Sequence, residues 1–377
     1  MKILIFHNST DLYGSSRILL YTVEVFKKQG YNCLVVVSSE GLFTEELTKL
    51  KVNYKIINLG VLRRKYFNVK GIINRALIAK KSWKLLNVLI QDFKPNIIFT
   101  NTTVILISAF LAKKHKVTHV WHLHEIIVKP KLLSLIIGYI VNRYSDKVIV
   151  VSNAVRYHWE KFIDPSKITR VYNGIKPELY NTFNTDLRKD LCILDEEIVI
   201  TMIARVNHWK GQNYFLDIAT LLNISNTNLK FIMVGDSFPG NEYMVDELEA
   251  RIAKLPFKNN LINLNYRSDV NEILKATDIF ICPSILPDPF PTVILEAMAA
   301  GKAIVSTSQG GALEMIDDNQ NGLLIPINNP KEAAVIIQTL IDDKEKRLQF
   351  AKEAKLTLDK NFSFNAFQQN LLHAINN

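Results

Sequence analysis

Three short stretches carry side chains whose types and spacing can do chemistry. In "PDPFPTVILEAMAAG", residues 287–301, Glu296 is the one charged residue of an otherwise apolar helical run, and Asp288 lies eight positions ahead of it between two prolines. A carboxylate inside an apolar helix is costly without partners. The paired hydroxyls of a ribose would supply them; a structural arginine would also serve. Pro287, Pro289 and Pro291 fix φ and stiffen the loop, so Asp288 can hold sugar hydroxyls or merely shape a turn. In "ARVNHWKG", residues 204–211, Arg205 and Lys210 follow the apolar run "IVITMI". Two cations at a strand end can clamp a diphosphate; a solvated basic loop is the plain alternative. In "STSQGGALEMI", residues 306–316, Gly310 and Gly311 let backbone amides approach a ligand, or form a Gly-Gly turn.

The elements that must position these residues alternate along the chain. "KILIF", "NCLVVVS", "NIIFTN", "THVWHL" and "KVIVVS" are near-continuous apolar runs, separated by helical patterns such as 17–30 and 72–93. Such runs suit parallel strands covered on both faces. The pattern restarts with "IVITMIAR", "LKFIMVGD", "LINLNY", "DIFICPS", "KAIVSTS" and "NGLLIP". This predicts an α/β protein of two facing, doubly wound Rossmann-like domains with an interdomain cleft. Residues 1–180 form the first and 181–362 the second, with a last helix at 363–377 crossing back onto the first. Ligands of such sheets bind at the carboxyl ends of the strands. The fold by itself names no reaction.

The bulk properties bound the function. The 377 residues carry a net charge of +10. Residues 1–185 hold 28 Lys+Arg against 11 Asp+Glu, the remainder 18 against 25, a net +17 beside a net −7. The halves should therefore meet different partners. The longest apolar run, 132–141, is too short to span a bilayer. The N-terminus reads as a first strand, not a signal peptide. Three dispersed cysteines point to neither disulfides nor zinc and fit a cytoplasmic setting. A dinucleotide-dependent dehydrogenase would need G-x-G-x-x-G after the first strand, where "NSTDLYGSSR" has a single glycine.

Together, "PDPFPTVILEAMAAG", "ARVNHWKG", "VYNGI", "VGD" and "QGGALEMIDDNQNGLLIP" resemble a retaining glycosyltransferase of family 4, glycosyl transferases group 1, with the GT-B fold. The likeness spans essentially the whole chain and is densest in the second half. The family's donor signature is an acid, seven residues and a Glu. Its second member here is Glu296, which the resemblance implies for the nucleotide ribose. Asp288 stands where the first member is usually Glu. The resemblance assigns Arg205 and Lys210 to the donor diphosphate and puts the backbone around Phe290, Thr292 and Val293, with Gly310 and Gly311, near the donor. In "STDLYGSSRIL" the chain has Tyr13-Gly14 where the family usually has Gly-Gly, and Gly14 is the donor-side candidate. "WHLHE" resembles the family's His-acid element, with His124 the candidate to contact the donor sugar and Glu125 beside it. His122 reads as a packed strand histidine.

The implied activity is transfer of a hexose-type sugar from a UDP- or GDP-sugar to a saccharide or lipid-linked saccharide acceptor, in cell-surface polysaccharide or glycolipid synthesis. His124, Arg205, Lys210 and Asp288 are the candidate catalytic residues. No metal and no cofactor are expected. Arg205, Lys210 and a helix N-terminus would meet the charge on the leaving phosphate, and no Asp-x-Asp follows a strand. A nucleotide-sugar epimerase of similar fold is the alternative, and a basic nucleic-acid-binding protein a more distant one, since no RNA-binding signature is present. The first half's clusters, Arg63-Arg64-Lys65, Lys80-Lys81 with Lys84, Lys113-Lys114 with Lys116, and Lys129 with Lys131, imply peripheral contact with the inner face of an anionic membrane, or a solvated surface with charge on every side.

Overall fold

The computed structural model describes residues 1–61, 68–182, 185–226 and 228–377. Two compact units emerge: 1–173 with 367–377, and 174–366. These divisions lie seven and four residues from the 180/181 and 362/363 boundaries read from the sequence. The reason is local pairing: Ile175 N donates to Phe362 O at 3.1 Å and Phe364 N to Ile175 O at 2.7 Å, which ties 175 and 362–364 into one unit.

The first unit runs β1 (Lys2–Phe6), α1 (Gly14–Lys28), β2 (Asn32–Val37), α2 (Leu42–Lys49), β3 (Asn53–Ile56), α3 (Val69–Phe93), β4 (Ile97–Thr100), α4 (Ile107–His115), β5 (Thr118–Leu123), α5 (Lys131–Tyr144), β6 (Lys147–Val150), α6 (Asn153–Trp159) and β7 (Ile168–Arg170). Its strands form one parallel sheet in the order β3-β2-β1-β4-β5-β6-β7. The central strands are apolar on both faces because helices cover both: Ile3, Leu4, Ile5 and Phe6 are all fully buried. Leu4 pairs with Ile98 across β1 and β4, and both enter a cluster with Leu86 and Ile90 of α3 and Leu111 of α4. The two strands that escape the sequence pattern, β3 and β7, are the edges of this sheet. "NYKI" and "ITR" are short and partly exposed, so they lack the apolar run that marks a doubly covered strand.

The second unit runs α7 (Leu187–Asp190), β8 (Ile198–Ile203), α8 (Gln212–Ser225), β9 (Leu229–Val234), α9 (Tyr243–Ile252), β10 (Leu261–Leu264), α10 (Val270–Ala276), β11 (Ile279–Cys282), α11 (Thr292–Ala299), β12 (Ala303–Thr307), β13 (Leu323–Ile325), α12 (Pro330–Asp342) and α13 (Lys344–Asn361). Its parallel sheet has the order β10-β9-β8-β11-β12-β13. The strand order reverses between β8 and β11, which pair through Ile200 and Ile279. Such a switch point opens a crevice at the carboxyl ends of the two strands. The last helix, α14 (Phe364–Asn376), reaches the first unit, where Lys147 Nζ donates to Ile375 O at 2.7 Å. Among the described residues no helix is long and apolar enough to cross a membrane, and Cys33, Cys192 and Cys282 are free thiols. The Arg63-Arg64-Lys65 cluster lies outside the described residues.

Candidate active site

In the second unit, the loops leaving β8, β9 and β11 and the start of α11 build one edge. The loop after β8 is folded by Asn207, whose Oδ1 accepts from Trp209 N at 3.0 Å and Lys210 N at 2.9 Å. Trp209 O accepts from Ile285 N at 2.8 Å, tying this loop to the one after β11. Val206 N donates to Asp236 O at 3.0 Å, tying it to the loop after β9. Arg205 stacks on Phe238, with Cζ 3.3 Å from the ring centroid. The Lys210 ammonium lies 4.4 Å from the Trp209 ring centroid and forms an ion pair with Asp288. Arg205 and Lys210 thus sit on the switch-point loop, and Asp288, only 6% exposed, is joined to that loop through Lys210.

Phe290 turns its ring into the core, 5.6 Å from the Phe362 ring, which leaves its backbone at the edge. α11 begins at Thr292 behind Pro291 and stops at Gly301, whose φ of +62° suits glycine. Thr292 and Val293 are partly exposed in its first turn, where unsatisfied amides favour an anion. Glu296 is buried one turn further in, at 4% exposure. Gly310 and Gly311 are in place beside them, and their contact is with protein. Gly310 has φ +60°, and a Cβ there would lie 2.4 Å from Asp288 O. A Cβ on Gly311 would lie 2.3 Å from Pro289 O, and its amide donates to Asp288 O at 2.7 Å. These glycines therefore let two backbones stack and hold the Asp288 loop.

In the first unit, the carboxyl ends of β1, β4 and β5 gather a buried polar group. His124 Nε2 lies 2.9 Å from Asn101 Oδ1, and Asn101 Nδ2 lies 3.3 Å from His7 Nδ1. His7 Nε2 is 3.1 Å from Ser16 Oγ, on the helix that starts at Gly14. Glu125 accepts from Thr102 Oγ1 at 2.6 Å, from Thr103 N at 3.2 Å and from His124 N at 3.1 Å. Burial raises its pKa, and these donors oppose the rise. His122 is fully buried with neither ring nitrogen hydrogen-bonded, 4.1 Å from the His124 ring, as a packed strand histidine. Burial drives His124 well below the usual histidine range, with His122 and His7 adding to it. His7, Asn101 and Ser16 were not singled out from the sequence. Their signal is positional: His7 and Asn101 each follow an apolar strand directly, as His124 does.

Burial pushes His7 and His119 down to about 4 and His122 to about 3, from an unfolded value of 6.5. All three are depressed bases, so the unfolded chain takes up protons first as pH falls. Their contribution to stability is complete above about pH 6.5 and is lost progressively toward pH 4, with a limiting slope of about 1.4 kcal/mol per pH unit for each. Urea unfolding at about pH 7 and about pH 5 should show the first unit melting earlier in the more acid buffer. An unchanged midpoint would contradict neutral burial.

The family described as "Glycosyltransferase Family 4" matches residues 13–179, and that described as "Glycosyl transferases group 1" matches residues 183–357. The chain belongs to the family 4 glycosyltransferases. An uncharacterized glycosyltransferase of Methanocaldococcus jannaschii is 29% identical to this glycosyltransferase over 282 residues, 71% of this chain and 69% of that one. The N,N'-diacetylbacillosaminyl-diphospho-undecaprenol alpha-1,3-N-acetylgalactosaminyltransferase of Campylobacter jejuni is 35% identical over 163 residues, 43% of this chain and 40% of that one. The crystal structure of Anabaena HepE in complex with UDP and glucose superposes with a TM-score of 0.87 at 25% identity, covering 100% of this chain and 99% of that one. The family assignment sets aside the epimerase reading. Among the described residues no three His, Cys, Asp or Glu side chains are grouped to hold a metal ion.

Proposed function

We propose that this glycosyltransferase moves a hexose-type sugar from a nucleoside diphosphate sugar to a saccharide or lipid-linked saccharide acceptor, with retention at the anomeric carbon and without a metal. The observation that carries the donor half is the meeting of Arg205, Lys210 and the start of α11 around the switch point of the second sheet. Negative charge builds on the β-phosphate as the glycosidic bond breaks, and fixed cations and amides stabilise it most effectively there. Asp288 holds the Lys210 ammonium in place and offers its carboxylate to sugar hydroxyls. Glu296 takes the ribose diol. His124 meets the sugar, and the departing phosphate takes the acceptor's proton. The HepE complex makes UDP the first nucleotide to try; GDP is the second. The Campylobacter relative, named for an undecaprenol-diphosphate-linked substrate, favours a lipid-linked acceptor and a role in surface glycan synthesis.

A thermal-shift screen of UDP- and GDP-sugars tests the donor. At a ligand concentration of 100 Kd the stabilisation should be about 2.7 kcal/mol. No shift with any nucleotide sugar would remove the reading. Hydrolysis of the hits should persist in EDTA, and loss in EDTA with rescue by a divalent ion would overturn the metal-free step. Anomeric NMR of the product decides retention.

The reading extends to docking on the inner face of an anionic membrane. α3 packs against α4 and α4 against α5. Across these three helices the only acid is Asp92, against Lys70, Arg75, Lys80, Lys81 and Lys84 on α3, Lys113 and Lys114 on α4, and Lys131 and Arg143 on α5. Large apolar side chains are exposed beside these charges: Ile72, Ile73 and Leu77 at 52–62% on α3, Leu132, Leu135 and Tyr139 at 54–65% on α5. Each cation near such a surface contributes about 1 kcal/mol. Full-length protein should co-sediment with phosphatidylserine vesicles at low salt, be released at high salt, and bind less after Leu132→Ser with Leu135→Ser. Absence of low-salt binding would leave a water-soluble acceptor as the better reading.

A further inference from the structure

The polar group in the first unit is a directed chain, and its direction can be read from groups that have only one hydrogen-bonding role. Ser15 O is a carbonyl and can only accept; Asn101 Nδ2 lies 3.4 Å from it. The nitrogen of the Asn101 amide therefore faces Ser15 and His7, and its oxygen faces His124. An amide oxygen can only accept, so His124 must carry its proton on Nε2. On the other side, the second Asn101 N–H points at His7 Nδ1, which accepts it when the His7 proton sits on Nε2 and donates to Ser16 Oγ at 3.1 Å, although the Asn101 main-chain carbonyl also lies within reach of the ring. The Ser16 hydroxyl is then free to donate to Asp11 Oδ1 at 3.3 Å. Asp11 is held by Ser9 Oγ at 2.8 Å and Tyr13 N at 3.2 Å at the start of α1. The carboxylate terminates a chain in which every donor points toward it: His124, Asn101, His7, Ser16, Asp11.

The consequence falls on the free end. His124 Nδ1 takes part in no hydrogen bond among the described residues, and the residue is at the margin of burial, 9% exposed, whereas Asn101 is at 1%. We propose that Asn101 is a positioning residue that locks His124 in the Nε2–H tautomer, so that the imidazole offers Nδ1 as a neutral acceptor for a ligand hydroxyl. A site of this kind takes a hydroxyl donor and discriminates against a carboxylate or other pure acceptor at the same place, because two acceptors cannot pair. The assignment of that hydroxyl to the donor sugar rests on the function proposed above; the tautomer itself does not.

Nitrogen-15 side-chain NMR of the full chain at mildly alkaline pH tests the lock without any substrate. Wild-type His124 and His7 should both show a pyrrole-like Nε2 and a pyridine-like Nδ1. In Asn101→Leu the His124 pattern should collapse toward a mixture of tautomers. In Asn101→Asp an acceptor remains opposite His124, so its tautomer should persist, while His7 loses its donor and should switch its proton to Nδ1. This second variant keeps the proposal testable if the leucine protein fails to fold. His124 found as the Nδ1–H tautomer in the wild type, or His7 unchanged in Asn101→Asp, would overturn the chain. In turnover, Asn101→Leu should lower kcat about tenfold, the scale of one neutral hydrogen bond, with affinity for UDP alone unchanged. A parallel loss of UDP affinity would mark Asn101 as merely structural.

Discussion

Glu296→Ala should reduce affinity for the nucleoside diphosphate by about a hundredfold or more. A carboxylate that accepts two hydroxyls loses two charge-assisted hydrogen bonds, each worth about 1.5–3 kcal/mol. Glu296→Gln keeps one accepting oxygen and should fall only about tenfold. The side chain is buried at 4% exposure in a helix that is apolar elsewhere. A purely structural Glu296 would therefore show itself in the melting temperature and leave the ligand affinity intact. Calorimetry with UDP and GDP, beside thermal melts of the same proteins, separates the two. Unchanged affinity in both variants would sink the assignment.

Arg205→Ala and Lys210→Ala should each lower turnover by roughly a hundredfold, the scale seen when one stabiliser of developing charge is removed. The two substitutions differ in what they leave behind. Arg205 stacks on Phe238, so its loss also exposes an aromatic face. Lys210 pairs with a buried carboxylate, so Lys210→Ala strands Asp288, and an uncompensated buried charge is destabilising. The double variant Lys210→Ala with Asp288→Asn should recover stability while turnover stays low. Single-turnover rates within a few-fold of wild type for both single variants would place the clamp elsewhere.

The second unit is unusually legible in the sequence because the residues of its candidate site are local. Arg205 and Lys210 share one loop, Asp288 and Glu296 one loop-helix junction, and the strands of that sheet are mostly apolar, with Lys230 and Asn263 as polar interruptions in β9 and β10. The fold class was readable for the same reason, since doubly covered parallel strands announce themselves by continuous hydrophobicity. The edge strands β3 and β7 did not, because an edge is only half covered and "NYKI" and "ITR" carry polar residues toward water. The first unit's polar chain was harder still. His7 and Asn101 lie 94 positions apart and meet only because β1 and β4 are neighbours in the sheet. No spacing rule links them, and only the sheet order turns three isolated polar residues at strand ends into a cluster. The pairing of Lys210 with Asp288 is likewise invisible in the sequence, because the two lie 78 positions apart and each suits a ligand as well as the other.

The stacked backbones of the loops after β8, β9, β11 and β12 bear on how this enzyme can change. A Cβ at Gly211 would lie 1.9 Å from Pro283 O, one at Gly235 1.9 Å from Ala204 O, and those at Gly310 and Gly311 within 2.4 Å of the Asp288–Pro289 carbonyls. At these four points the loops are thus nested main chain against main chain, with no room for a Cβ. Altered sugar preference in laboratory evolution should accordingly appear at residues whose side chains project from this frame, such as Thr292, Val293 and His208, while libraries that randomise the four glycines should return almost only glycine.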